Sequence, residues 1–392
     1  SRGLGDVYKR QRNRMVNSRR SCAFIDFREV RSLKTQVLHR GENCGFEKSE
    51  KKINIFANKK QCGKRQTIIF PNPPKVIGRM AVVGEKEGKG PMGKFFQKIV
   101  DDDKMHEKTF EKAEIDMLTA AIKGAAENGK LKINDIDVLV AGDLLNQITS
   151  SSYVARELNI PYMGVYSACS TMSESLAVGA SMVSAGYFNK VMCATVSHFA
   201  TAERQFRYPL EYGCQRPPYA QWTVTGAGAT LLSSEGTGPR ITAATFGKVV
   251  DFGTNDLNNM GASMAPAAMS SLTALFKDTD TVPEDYDLIL TGDLGKLGSD
   301  ILRDLMREQG YDLGQNYIDC GSLVYDVTQK CYQGGSGCGC SASVINSFVF
   351  SRLESGMYNK VAYFATGALM STQSCYQGET IPCISHGVIL ER

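Results

Sequence analysis

Apolar positions acquire a regular rhythm near residue 67, and from there short apolar runs alternate with helical stripes. Positions 68–70 and 75–83 read as strands, kept apart by Pro71, Pro73 and Pro74, which cannot donate to a ladder. Positions 84–93 are rich in glycine and charge and read as a loop. Gly88-Lys89-Gly90 lacks the flanking spacing and the following Ser or Thr of a phosphate loop. Phe110, Ala113, Met117, Ala121 and Ala125 form the stripe of a long helix, with Asp101 to Asp103 placed to cap it. Positions 135–142 read as a buried strand ending at Asp143, followed by a short helix near 153–158. A second apolar run, 162–166, also reads as a buried strand. A small-residue turn then carries Cys169, and Met172, Leu176, Ala180 and Val183 mark a helix over 170–185.

A long internal repeat sets the expected architecture. Asp135-Ile136-Asp137-Val138-Leu139-Val140-Ala141-Gly142-Asp143-Leu144 returns as Asp285-Tyr286-Asp287-Leu288-Ile289-Leu290-Thr291-Gly292-Asp293-Leu294, 150 residues later. Gly186-Tyr187-Phe188-Asn189-Lys190-Val191 returns as Gly356-Met357-Tyr358-Asn359-Lys360-Val361, 170 residues later. Such spacing is too long for a solenoid, so the expectation is two homologous α/β halves, 67–240 and 241–392, sharing one core.

Charge changes the picture of residues 1–66. They hold 18 Lys+Arg against 6 Asp+Glu, and the remainder holds 27 against 35, so the body is acidic under a net charge of +4. The first 66 residues read as a basic leader, disordered or artefactual, rather than a nucleic-acid-binding arm. Twelve cysteines without paired spacing point to reduced thiols rather than a disulfide framework. Cys338 and Cys340 have no partners at zinc spacing, so no metal is expected. No apolar run reaches the ~18–20 residues of a spanning helix, so any membrane association is expected to be peripheral or through a partner.

The candidate chemistry centres on Cys169. At a helix N-terminus, unpaired N–H groups and the helix dipole favour a thiolate or an anionic ligand. Ser170 and Thr171 add hydroxyl donors. His198, at the end of the strand after the Cys169 helix, is expected to project into the same crevice. Arg204 and Arg207, three apart, can share a helix face and grip a carboxylate, or pair with Glu203 and Glu211. Asp143 and Asp293 look first like loop anchors or helix caps. His106 reads as solvated surface and Trp222 as packing.

Cys169 with its helix resembles the nucleophile segment of ketoacyl synthases, and Val224-Thr225-Gly226-Ala227-Gly228-Ala229-Thr230-Leu231-Leu232 resembles their glycine-rich strand. Cys383-Ile384-Ser385-His386-Gly387-Val388 resembles the closing segment of thiolases. A more specific likeness runs through Ala141-Gly142-Asp143-Leu144-Leu145-Asn146-Gln147, Ser197-His198-Phe199-Ala200-Thr201-Ala202-Glu203-Arg204 and Met260-Gly261-Ala262-Ser263-Met264-Ala265-Pro266. It continues in Gly334-Gly335-Ser336-Gly337-Cys338-Gly339-Cys340. From about residue 63 onward the chain resembles the stage V sporulation protein AD family, a branch of the thiolase-like superfamily.

That resemblance implies a thiolase-like fold of five layers, α/β/α/β/α, with two pseudo-symmetric halves and a homodimer. It implies binding of dipicolinate (pyridine-2,6-dicarboxylate), as free acid or calcium chelate, without a cofactor, and work alongside membrane-embedded sporulation proteins. The expected location is the cytoplasm of the forespore or the spore core, peripheral on the inner spore membrane. The expected ligand contacts are Asp143, Cys169, Ser170, Thr171, His198, Arg204, Arg207 and His386. Decarboxylating relatives need an imidazole after the first strand of the second half and a His or Asn on a later loop. Here those places hold Thr291-Gly292-Asp293 and residues 334–340, with neither group. No catalytic residue is therefore expected. The alternative is an acyl-transferring enzyme with Cys169 as nucleophile.

Overall fold

Continuous apolar runs, buried on both faces, build a sheet that is mostly parallel at its flanks and antiparallel at its centre. The computed structural model describes residues 65–206 and 216–392, so expectations for residues 1–64, Arg207 and Glu211 lie outside the described residues. The first half contributes β1 (Lys75–Val83), β2 (Val138–Asp143), β3 (Tyr162–Gly164), β4 (Lys190–Ser197) and β5 (Gly226–Ser233). The second contributes β6 (Arg240–Thr245), β7 (Leu288–Thr291), β8 (Tyr317–Asp319), β9 (Lys360–Ala368) and β10 (Cys383–Glu391). The spatial order is β1-β5-β4-β2-β3 in one half and β6-β10-β9-β7-β8 in the other, the same order twice, joined where β1 meets β6. Parallel and antiparallel pairings match position for position.

Two aspartates explain why the repeat is so marked in sequence. Asp137 Oδ2 accepts from the N–H groups of Asn189 (2.7 Å) and Lys190 (2.8 Å), tying the start of β2 to the start of β4. Asp287 does the same for Asn359 (2.6 Å) and Lys360 (3.0 Å) in the second half.

Helices cover the sheets in layers. Helix α1 (Phe110–Asn128) packs on β1, β4 and β5 from outside, beside α2 (Thr149–Leu158). Its N-cap is Thr109, whose side chain accepts from Lys112 N, whereas Asp102 instead closes its own turn through Lys104 and His106. Helix α3 (Thr171–Ser184) lies between the halves, touching β2, β4 and β5 on one side and β6, β9 and β10 on the other. Helix α4 (Phe199–Phe206) follows β4. Helix α5 (Met260–Thr279) covers β9 and β10 from outside and packs on α6 (Gly295–Glu308). The second central helix, α7 (Cys338–Val344), packs on α3 and on β4 and β5. One apolar core fills the space between the sheets, and two others lie under the outer helices.

Two local expectations change. Residues 84–93 contain a short helix, Glu85–Gly88, rather than loop alone. The run at 162–166 is an edge strand, with Met163 and Tyr166 41% and 42% exposed, because nothing pairs beyond β3 among the described residues. Among those residues, no helix is long and apolar enough to cross a membrane.

Candidate functional site

The turn between β3 and α3 is held by its own hydroxyls. Ala168 sits at φ +50°, a left-handed conformation that costs an L-residue energy and needs support. Thr171 Oγ1 supplies it, donating to Ala168 O (2.6 Å) and accepting from Ser167 N (3.2 Å). Ser170 Oγ donates to Ala365 O on β9 (2.8 Å) and accepts from His386 N on β10 (3.0 Å). The second half thus grips the turn of the first. Gly367 makes this approach feasible, since a Cβ there would lie 1.9 Å from Ser167 O.

Held this way, the half-buried Cys169 thiol faces groups from the second half: the Asp293 carboxyl beyond β7, the Cys338 thiol at the start of α7, and Gly337 N–H. Burial raises its pKa well above the usual thiol value, and the negative charge of Asp293 adds to the shift. Burial also pushes Asp293 up to about 7. The helix N-terminus does not outweigh these effects, so Cys169 is a neutral thiol at physiological pH.

A cavity of about 60 Å³ opens beside this thiol. Phe206, Met260, Met264 and Met370 supply apolar wall, while Glu203, Thr223, Ser336 and Gly337 supply polar groups. Glu203 Oε2 is bound by Arg216 Nη2 (2.6 Å), and Thr223 Oγ1 donates to its Oε1 (3.2 Å). Arg216 in turn lies over Phe199 and Trp222, whose rings stack 4.0 Å apart, and Lys86 lies over Trp222. A larger open groove of about 770 Å³ along Val76 to Arg79 shares no residue with this cavity and is spanned by the Arg79–Glu354 ion pair.

Of the expected ligand contacts that fall on described residues, Cys169 lines the cavity and the others are placed elsewhere. Asp143 is a loop anchor: it accepts from Leu145 N (2.9 Å) and Ser151 N (2.7 Å). Thr171 is occupied within the turn, and Ser170 with β9 and β10. His198 does not enter the crevice. Its Nδ1 accepts from Ala200 N, so its Nε2–H donates to Asp103 O (2.8 Å), and burial lowers its pKa. Arg204 is exposed and pairs with Glu111 (2.7 Å), not with Glu203. His386 accepts from Gly247 N beside Phe246, and burial drives its pKa to about 4. Cys383, in the segment that resembles the closing segment of thiolases, is buried in the core under α5. Among the described residues no cluster of ligating side chains could hold a metal, and all eight cysteines are free.

Sequence reasoning missed Arg216 and the nearness of Asp293 to Cys169. No local pattern flags Arg216. The repeat does flag Asp293, since it is the counterpart of Asp143, although their surroundings differ.

Comparison with known proteins agrees with this architecture. A family model described as stage V sporulation protein AD matches residues 64–391. Stage V sporulation protein AD of Bacillus subtilis (strain 168) is 46% identical over 328 residues, covering 84% of this chain and 97% of that protein. Among solved structures, 3-oxoacyl-[acyl-carrier-protein] synthase III from Aquifex aeolicus VF5 superposes with TM-score 0.52 at 12% identity, over 81% of this chain and 100% of that one. Human mitochondrial 3-ketoacyl-CoA thiolase, in complex with CoA, gives 0.52 at 13%, over 83% and 99%. Both likenesses establish the thiolase-like fold.

Proposed function

The chain belongs to the stage V sporulation protein AD family, and from that premise we propose that it is a non-catalytic, thiolase-fold protein that binds dipicolinate in the Cys169 cavity, as a component of spore dipicolinate uptake and release. One observation carries the reading. Where a condensing enzyme needs imidazoles, the Cys169 thiol meets a buried carboxyl and a second thiol; burial first, and then their charge, suppresses the thiolate, while a cavity remains open beside the turn. Its methionine and phenylalanine walls suit a flat ring, and the Ser336 hydroxyl offers a donor at the edge, while the Thr223 proton is spent on Glu203. Arg216 reaches the cavity wall through Glu203, and a ligand carboxylate would compete with Glu203 for its guanidinium.

Trp222 is the chain's single tryptophan and is stacked against Arg216, so its fluorescence reports on this region. Titration with dipicolinate is expected to give saturable quenching, with Arg216→Gln weakening the affinity about tenfold or more through loss of a charged hydrogen bond. Absence of binding to well-folded wild-type protein would sink the proposal. The apolar wall is also compatible with the acyl-transferring alternative. Incubation with acyl-coenzyme A would then leave an acyl mass on Cys169, and the neutral thiol argues that none will form.

The remaining expectations are part of the same proposal. A second copy of the chain would cover Met163 on the edge strand β3 and Tyr166 just past its end. Light scattering should show a dimer that Met163→Lys weakens. Membrane-embedded partners would hold the protein at the inner spore membrane, tested by co-sedimentation with vesicles that contain them.

A further inference from the structure

We propose that Asp293 is a positioning residue that keeps Cys169 a neutral thiol, its buried carboxyl beside the S–H, so that the turn remains an uncharged wall of the cavity and not a nucleophile. The internal repeat supplies the control. Asp143, the counterpart in the first half, spends both oxygens on loop N–H groups, those of Leu145 and Ser151. In the second half that duty has moved to Asp319 on β8, which accepts from Leu294 N (2.9 Å) and Gly295 N (2.8 Å). Asp293 is thereby released from anchoring the loop. Its Oδ1 accepts from Thr366 Oγ1 (2.7 Å), while Oδ2 is fully buried without a hydrogen bond, and the carboxyl lies beside the Cys169 thiol and the Gly337 N–H. A buried carboxyl with an unbonded oxygen is costly, and these two groups are the donors beside it.

A carboxylate at this place accepts S–H and repels a thiolate, the opposite of an imidazolium. The other titratable groups bearing on Asp293 are Asp319, the thiols of Cys320, Cys338, Cys340 and Cys383, and the Tyr363 phenol; burial keeps the thiols and the phenol protonated. Ionising the thiol beside that carboxylate would place a second negative charge against any anionic ligand, and keeping the cysteine protonated limits that repulsion. The inference draws on the proposed binding role for that consequence alone.

The test contains no dipicolinate, so its failure and the failure of dipicolinate binding are read separately. Folded protein is treated with iodoacetamide at pH 8.5, where the thiolate sulfur bonds to carbon and iodide leaves, and labelling is followed at Cys169 by peptide mass spectrometry. Asp293→Asn and Asp293→Ser are both expected to label Cys169 about tenfold faster than wild type, one pKa unit being a factor of ten in thiolate. Cys375, half-buried on a separate helix, should keep its rate. Wild-type rates at Cys169 should still be rising above pH 9. Wild-type labelling rates at Cys169 in both variants, each shown to unfold cooperatively, would overturn the assignment. Equal acceleration at Cys375, a sign of general loosening, would overturn it as well, as would a wild-type plateau near the ordinary thiol pKa of about 8.5.

Discussion

Burial holds the Asp293 carboxyl at about 7 in the folded chain, against an ordinary aspartate value of 3.8, so folding takes up a proton there between those limits. The folded state then binds more protons than the unfolded one, and stability contributed by this group is lost as pH rises from about 4 to about 7. Glu87, also raised to about 7, acts in the same direction, and His386, lowered to about 4, acts in the opposite one. The difference between Asp293→Asn and wild type isolates the one carboxyl. Urea unfolding of the two between pH 5 and 7 should show the variant gaining relative stability by about 1 kcal/mol per pH unit. At the same scale, His198→Ala should cost about 2–3 kcal/mol, because it removes the hydrogen bond to Asp103 O and leaves a void where the buried ring packs. Dipicolinate affinity should not change, since the ring lies outside the cavity. Its position at a strand end, read from sequence, located the backbone of His198 but not the direction of its ring. That direction is set by Asp103, 95 residues away, and by the N–H of Ala200.

Single elements were legible where a local pattern alone decides them, and less so where neighbours decide. The stripe from Phe110 to Ala125 gives α1 directly, because its buried face repeats every turn. Thr109 rather than Asp101 to Asp103 caps it, a choice made by where the chain enters the helix. The apolar run at 162–166 gives a strand, but not its exposure, which depends on β2 having no further neighbour past β3. The Cys169 turn was the clearest element, and its geometry is the most demanding. Substituting Gly367→Ala would force a methyl group to 1.9 Å from Ser167 O, in backbone that has no slack. Thermal unfolding should show a loss of about 2–3 kcal/mol or more, accompanied by weaker ligand binding.

For the whole molecule, the repeat carries most of what sequence revealed, because each half uses the same aspartate to tie the same pair of strands. Asp137→Ala and Asp287→Ala each remove an acceptor from two N–H groups, at exposed or half-buried sites. Each is expected to cost about 1–2 kcal/mol in denaturant unfolding, with the two losses equal within about 1 kcal/mol. The halves differ where side chains from one meet the turn of the other, and no pattern within either half describes that meeting. The His386 N–H that Ser170 Oγ accepts comes from β10, which lies between β6 and β9 in its sheet. Chains leave the ribosome N-terminus first, so the turn emerges more than two hundred residues before the strand that fixes it. A nascent chain therefore has no finished cavity, and competence to bind arrives only when residues 383–391 slot between two strands already in place.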